Sequence, residues 1–234
     1  MKLERLDWDS TFFNYDIGSV VVNENQSLAI SDFLLNSIGY KLVYIFSKLS
    51  LSNELFKLVD EKVVLHQELS QIKFDFSSDF FTITSFDKSN HNKQELEKLA
   101  LESGIFSRFN VDENFKSGEF KKLYLEWIAL SIEGKLAFDI LIAIDNNESI
   151  IGFITLNKKS ESLVDIGLVA VSDGFRGKGI GKKLMQYALT KSYELGYKEI
   201  QVVTQSNNIS AMKLYESVGF NIKEKTFVYH YWNL

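Results

Sequence analysis

The segment that most constrains this chain is Val171-Ser172-Asp173-Gly174-Phe175-Arg176-Gly177-Lys178-Gly179-Ile180-Gly181-Lys182-Lys183. It follows an apolar, β-branched run at 163–171 and opens a helical pattern over about residues 178–195. Strand, glycine-rich turn and helix in that order place the chain among α/β folds. Glycine lets other groups approach the backbone and tolerates positive φ, and the first turn of a helix carries unpaired N–H groups at its positive end. The loop therefore reads as an anion cradle rimmed by Arg176, Lys178, Lys182 and Lys183, with a pyrophosphate as its natural guest. A tight strand-to-helix turn with a solvated basic rim is the plainer alternative. The Walker pattern does not align, since Lys183 is followed by Leu184. The dinucleotide fingerprint also fails, because the glycines fall at 177, 179 and 181. What fits is R-x-x-G-x-G, from Arg176 to Gly181.

Several classes of function are excluded by composition. The 234 residues include no cysteine, which removes disulfides, thiolate metal sites and cysteine nucleophiles. Three histidines (His66, His91 and His230) lie far apart in sequence, so no metal is expected. A net charge of −5 gives no electrostatic reason for nucleic acid as a partner. No run approaches the roughly 20 apolar residues of a membrane span, and Met1 to Arg5 lacks an apolar secretory core behind it. A cytoplasmic location is expected.

Proline is absent, so glycine and polar runs punctuate the chain. Two stretches echo each other. Asp16-Ile17-Gly18 opens a strand, a helical pattern follows, and Gly39-Tyr40-Lys41 precedes the apolar run Leu42 to Phe46. Asp165-Ile166-Gly167 opens the later copy, which passes through the glycine loop and a helical pattern to Gly196-Tyr197-Lys198 and the run Ile200 to Val203. The earlier copy is shorter by about one loop, the one that carries Arg176 to Gly181. Duplication would make the chain two related α/β units, with chemistry in the second. The polar stretch Asp87 to Lys93 is the best linker, dividing the chain into residues 1–87 and 88–234.

The same pass predicts helices at 28–38, 52–59, 93–103, 119–132, about 178–195 and about 208–218. Strands are expected at 18–22, 42–46, 138–144, 150–156, 163–171, 199–204 and 226–232, with one or two more between Lys62 and Phe76. Asp145-Asn146-Asn147-Glu148 marks a hairpin between two of them.

Downstream of the loop, Asn208-Ile209-Ser210-Ala211-Met212-Lys213-Leu214-Tyr215-Glu216-Ser217-Val218-Gly219-Phe220 has the form N-x-x-A-x-x-L-Y-x-x-x-G-F. With the glycine loop, this segment resembles the GNAT superfamily of N-acetyltransferases over about residues 90–234. The resemblance implies a mixed central sheet, splayed and flanked by helices, with a partial GNAT-like domain in front. It implies acetyl-CoA as co-substrate, its pyrophosphate on the backbone of Arg176, Gly177, Lys178, Gly179, Ile180, Gly181 and Lys182. Pantetheine would pair with the strand at Val169, Ala170 and Val171. By the same resemblance Asn208 hydrogen-bonds the cofactor and Tyr215 protonates the departing thiolate. Spacing agrees, since Asn208 and Tyr215 are seven apart and share a helix face. A phenol of pKa about 10 and a thiol of about 8.5 are close enough for that exchange. The plainer roles are a helix N-cap for Asn208 and packing for Tyr215.

The resemblance further implies a small-molecule amine as acceptor, which must lose a proton before attack. Asp165 is one base for it; His230 is another, though a lone histidine on a last strand is more often structural. Arg108, between Phe106 and Phe109, has a guanidinium fork that suits a phosphate, or else an ion pair. Leu6-Asp7-Trp8-Asp9-Ser10-Thr11-Phe12-Phe13, Phe106-Ser107-Arg108-Phe109 and Ala211-Met212-Lys213-Leu214-Tyr215 are similar to dTDP-fucosamine acetyltransferases. That likeness implies the amine of a dTDP-linked amino-deoxysugar, and a homodimer is expected. Asp7 to Asp9 also fits a strand-end turn with a packed tryptophan. A protein N-terminus, a polyamine or an aminoglycoside is the alternative acceptor, and a non-catalytic acyl-CoA-binding protein the alternative class.

Overall fold

A computed structural model of the chain describes residues 3–23, 29–71, 74, 76–116 and 118–234. In chain order its elements are β1 (Glu4–Arg5), α1 (Asp7–Phe13), β2 (Ile17–Val22), α2 (Ile30–Ser37), β3 (Leu42–Ser47), β4 (Lys57–Glu68) and β5 (Phe81–Ser85). There follow α3 (Lys93–Ser103), α4 (Arg108–Val111), α5 (Glu119–Ile132), β6 (Asp139–Asp145), β7 (Ile150–Lys158) and β8 (Leu163–Val171). The chain ends with α6 (Ile180–Glu194), β9 (Glu199–Gln205), α7 (Ile209–Glu216) and β10 (Asn221–Trp232). Described strands form one mixed sheet in the order β1-β2-β3-β10-β4-β9-β8-β7-β6-β5.

Hydrophobic burial on both faces holds the sheet. Leu96, Leu99, Leu123 and Ile128 of α3 and α5 pack on one side, and Leu184, Met185 and Ala188 of α6 on the other. At the amino-terminal end Phe33 of α2 meets Phe56 and Tyr231 edge-on, at ring distances of 5.1 and 5.0 Å. Both copies of the sequence repeat form parallel strand–helix–strand units: β2 pairs with β3 from Ile17/Leu42, and β8 with β9 from Leu163/Glu199. The sheet is continuous past residue 87. β4 lies between β9 and β10, β5 pairs with β6, and β10 pairs with β3.

Two local expectations are corrected. Residues 52–59 are not a helix, because Lys57 and Leu58 are captured by pairing with His230 and Tyr229 while Phe56 is buried. Cross-strand pairing outweighs a weak local periodicity. β10 starts at Asn221, five residues before the expected position, since its first half pairs with β4. β1, α1, β5 and α4 lie outside the elements that the sequence predicts. The expected start of α2 at Leu28 lies outside the described residues. No described helix is long and apolar enough to cross a membrane.

Candidate active site at the β8–β9 fork

The site begins with a fork in the sheet. β8 and β9 are partners only from Leu163/Glu199 to Ile166/Val202, although β8 runs on to Val171 and β9 to Gln205. A bulge drives them apart: between Ile154/Val169 and Leu156/Ile166, β8 has two residues, Gly167 and Leu168, opposite the single Thr155. One extra residue flips the side-chain alternation. Val164 and Ile166 accordingly join the core under α6, whereas Leu168 and Ala170 join the core under α3 and α5. Gly167 is required by close approach, because a Cβ there would lie 2.7 Å from the Asn157 side-chain nitrogen and 2.8 Å from the Thr155 hydroxyl.

Beyond the fork the chain makes a single 3₁₀ turn at Asp173–Phe175 and enters the glycine loop. Gly179 caps α6 at φ +81°, a left-handed conformation that only glycine adopts without strain. Among the described residues the backbone N–H groups of residues 177–182 donate no hydrogen bond within the chain. Six unpaired donors at the start of a fifteen-residue helix make the cradle that the sequence predicts. The charges are arranged less simply. The Arg176 guanidinium is held by the Val171 carbonyl and Asp173, both at 2.9 Å, and by Glu102 at 3.5 Å. Lys178 sits over the Phe175 ring, 4.9 Å from its centroid, and Lys183 is bonded to the Ser77 carbonyl. Lys182 lines the cleft; Lys178 does not.

A cavity of about 470 Å³ runs from this loop along the fork, lined by Gly167 to Val171, Val203 to Gln205, Asn208 and Tyr215. Asn208 caps α7, its side-chain oxygen accepting from the Ala211 N–H at 3.2 Å. The amide nitrogen is not used by that cap, and the residue lines the cleft. Tyr215 is buried to 5% exposure, and its hydroxyl makes no hydrogen bond among the described residues. Burial alone pushes its phenol well above the ordinary value, so it stays protonated. Ser210 and Phe106 also line this cavity, although the motifs that contain them gave neither a role.

A second cavity, about 460 Å³, adjoins the first through Tyr124, Gly167, Leu168, Val203 and Gln205. It holds Arg108 and a residue that motif reading missed, Asp60 of β4. The Arg108 guanidinium carbon lies 4.0 Å from the Tyr44 ring centroid and 4.8 Å from that of Phe109. Among the described residues no carboxylate comes within ion-pairing distance of it. Asp60 has a buried side-chain oxygen without a partner. Burial raises its carboxyl to about 6 against the opposing pull of Arg108. Only its place on a strand ahead of the motif-bearing half could have pointed to it, and sequence gives no register for that strand.

The other two acidic and basic expectations fall elsewhere. Asp165 accepts from Gln201 at 2.7 Å inside the paired part of β8 and β9, and lines neither cavity. His230 is fully buried, with Nδ1 2.6 Å from the Asp112 carboxylate, and also lines neither. It is structural, in a cluster where Asp112 additionally accepts from Trp232 at 2.7 Å and Lys57 at 3.2 Å. Among the described residues, no group of three or more histidines and carboxylates is placed to hold a metal ion.

Comparison with known proteins agrees with this geometry. The chain is 26% identical over 237 residues to the dTDP-fucosamine acetyltransferase of Escherichia coli O6:H1, covering 97% of the chain and 96% of that protein. It is 28% identical over 136 residues to the spore coat polysaccharide biosynthesis protein SpsD of Bacillus subtilis, which is 58% of this chain but only 46% of SpsD. In fold it resembles a GCN5-related N-acetyltransferase from Sphaerobacter thermophilus (TM-score 0.56, 18% identity, 86% of this chain and 63% of that one). The model of the acetyltransferase (GNAT) family matches residues 94–220, more than half the chain and the part that carries the fork, the glycine loop and α7. Forked sheet, free cradle and family match converge, and the chain belongs to the GNAT family of N-acetyltransferases.

Proposed function

We propose that this chain transfers the acetyl group of acetyl-CoA to the primary amine of a nucleotide-linked amino-deoxysugar. The observation that carries the reading is the confluence of two cavities: one bounded by an open strand edge and six free N–H groups, the other containing Asp60 and the unpaired Arg108. The cradle at residues 177–182 fits a pyrophosphate, and the unpaired edge of Val169 to Val171 fits the amide groups of pantetheine. Acetyl-CoA supplies the thioester; the chain supplies position and protons. Asp60 takes a proton from the ammonium, directly or through one water, because a carboxylate raised to about 6 is ionised at neutral pH yet more basic than usual. Tyr215 donates a hydrogen bond to the sulfur as negative charge develops there. Its raised pKa makes complete proton transfer uphill, so stabilisation of the developing thiolate is its contribution.

Arg108 suits a phosphate of the acceptor, through a planar fork whose face is already stacked on Tyr44. A polyamine or aminoglycoside calls for a cavity rich in carboxylates, and the second cavity sets Asp60 against Lys62 and Arg108. The full-length likeness to a dTDP-fucosamine acetyltransferase supports the same choice. The deciding experiment is release of free thiol from acetyl-CoA with a panel of dTDP- and UDP-amino sugars, polyamines and peptides. Turnover confined to the amino-sugar nucleotides is expected. Release with peptides or polyamines, and none with any sugar nucleotide, overturns the acceptor assignment.

A further inference from the structure

A third cavity of about 400 Å³ continues from the second across Arg108, Phe109, Trp127 and Leu136. Its outer wall is Trp8 and Asp9, both on α1, which the chemistry described so far leaves unused. Trp8 is 47% exposed. Its indole stacks on Phe12 at 5.0 Å with planes 9° apart, and Phe12 is itself covered by the Lys122 ammonium at 4.5 Å. One indole face is thus fixed from behind while the side chain stays open to the cavity. Such a rigid, half-open aromatic surface suits a flat ring. Asp9 is partly buried beside it. The Tyr44 hydroxyl approaches one of its oxygens at 3.4 Å, and the positive charge of Arg108 acts on the carboxylate.

The order of these features is informative. From the fork outward come the reacting centre, Asp60, Arg108 and then Trp8 with Asp9. A sugar nucleotide presents its groups in the same order: amine, sugar ring, diphosphate, nucleoside. Building on the amino-sugar nucleotide reading above, we infer that the third cavity is a nucleobase subsite in which Trp8 stacks on the base and Asp9 accepts from a ring N–H. The chemistry then selects among bases. Thymine and uracil present N3–H to a carboxylate, whereas cytosine presents a lone pair at N3 and is repelled. A site built to accept a hydrogen bond rejects a partner that lacks the donor.

Competition by nucleoside diphosphates tests this. In the wild-type enzyme UDP and dTDP are expected to compete with the amino-sugar nucleotide about tenfold more tightly than CDP, as one unmade hydrogen bond to a charged group implies. In Asp9→Asn, whose amide offers both a donor and an acceptor, that preference should fall to within about threefold. Trp8→Ala should raise the acceptor KM about tenfold, the scale of one base–aromatic stack, and Trp8→Phe should restore most of it. In both the KM for acetyl-CoA should be unchanged, which shows that the variants fold. Binding is read separately from turnover: dTDP should quench tryptophan fluorescence in the wild type and quench it less in Trp8→Phe, which keeps Trp127 in the same cavity. If the wild type acetylates no sugar nucleotide and dTDP neither inhibits nor quenches, the parent reading fails. If it acetylates them but ranks CDP with UDP, or Trp8→Ala leaves the acceptor KM alone, the subsite is wrong while the parent reading stands.

Discussion

Leu168 donates its backbone N–H to the Thr155 hydroxyl at 2.8 Å, a side-chain bond standing where a strand-to-strand bond would otherwise be. It satisfies a backbone donor that the bulge takes out of the ladder, and so supports the departure of β8 from β9. Thr155→Val keeps the shape and removes the acceptor. An unpaired buried N–H costs about 1–3 kcal/mol, so the urea midpoint should fall, and loosening of the fork should raise the KM for acetyl-CoA. Thr155→Ser retains the hydroxyl and should behave nearly as wild type. A valine variant with unchanged midpoint and KM would show that the bulge holds without this bond.

Gly179→Asp separates folding from cofactor binding. Nothing lies within 4 Å of a Cβ at this position, so the cost to the fold is the left-handed backbone alone. At about 1 kcal/mol, that corresponds to a melting shift of about 2–4 °C for a chain of this length. The new carboxylate lies within the stretch of six free N–H groups and would compete with, and repel, a bound diphosphate. Calorimetry with acetyl-CoA should show no binding heat in a variant whose circular dichroism is unaltered. Heat of wild-type size would displace the pyrophosphate from this loop.

Tyr215→Phe leaves the ring in its buried place and removes a hydroxyl that bonds to nothing else in the chain. Stability should therefore stay within about 1 kcal/mol of wild type. Turnover should fall about 10²-fold, the usual scale for losing one hydrogen-bond donor to charge that develops in the transition state, with the KM for acetyl-CoA little changed. Pre-steady-state acetyl transfer is the measurement that isolates this step; a variant with wild-type transfer rate would place the donor elsewhere.

How much of this was legible in the sequence follows from where each signal resides. The loop and α7 are contiguous, so their residues reach the cleft through local geometry, and the strand and helix at 163–171 and 93–103 are read with their bounds intact. Asp60 was invisible because its position depends on the register of β4 between β9 and β10, a pairing of segments far apart in sequence. The same long-range pairing erased the helix expected at 52–59. Arg176 shows the opposite failure: its motif position is right, but Glu102, seventy-four residues earlier, takes up part of its charge. The division into residues 1–87 and 88–234 we propose as a trace of duplication, carried by the matching units β2–α2–β3 and β8–α6–β9, within a sheet that is continuous.

Asp60 predicts the acid limb of the pH profile. Its carboxyl is raised to about 6 by burial, and only the ionised form accepts a proton from the acceptor amine. kcat/KM should therefore rise with pH through a transition near 6 and level off above it. Asp60→Asn should lose that transition and reduce kcat/KM by about 10²-fold, with the KM for acetyl-CoA unchanged. Persistence of the limb in the asparagine variant would assign it to the substrate or to another group.

His230 should make the fold sensitive to acid. Burial pushes its imidazole from 6.5 down to about 4, against the pull of Asp112 and in concert with the nearby positive charges of Arg108 and Lys57. Between those two values the unfolded chain takes up a proton that the folded chain refuses. Stability is therefore complete above about pH 6.5 and declines toward pH 4, at up to about 1.4 kcal/mol per pH unit. Asp112 acts in the same direction at lower pH. Burial favours its neutral form, but hydrogen bonds from His230 and Trp232 outweigh that and hold it below the usual carboxylate range, so its contribution is lost on further acidification. His230→Asn removes the titrating ring and keeps an N–H donor for Asp112. It should be less stable than wild type at pH 8 because packing against Tyr44, 5.0 Å away, is lost. The difference should shrink as pH falls to 5. Urea unfolding at pH 8, 6.5 and 5 reads the effect, and parallel pH slopes in the two proteins would remove His230 as its source.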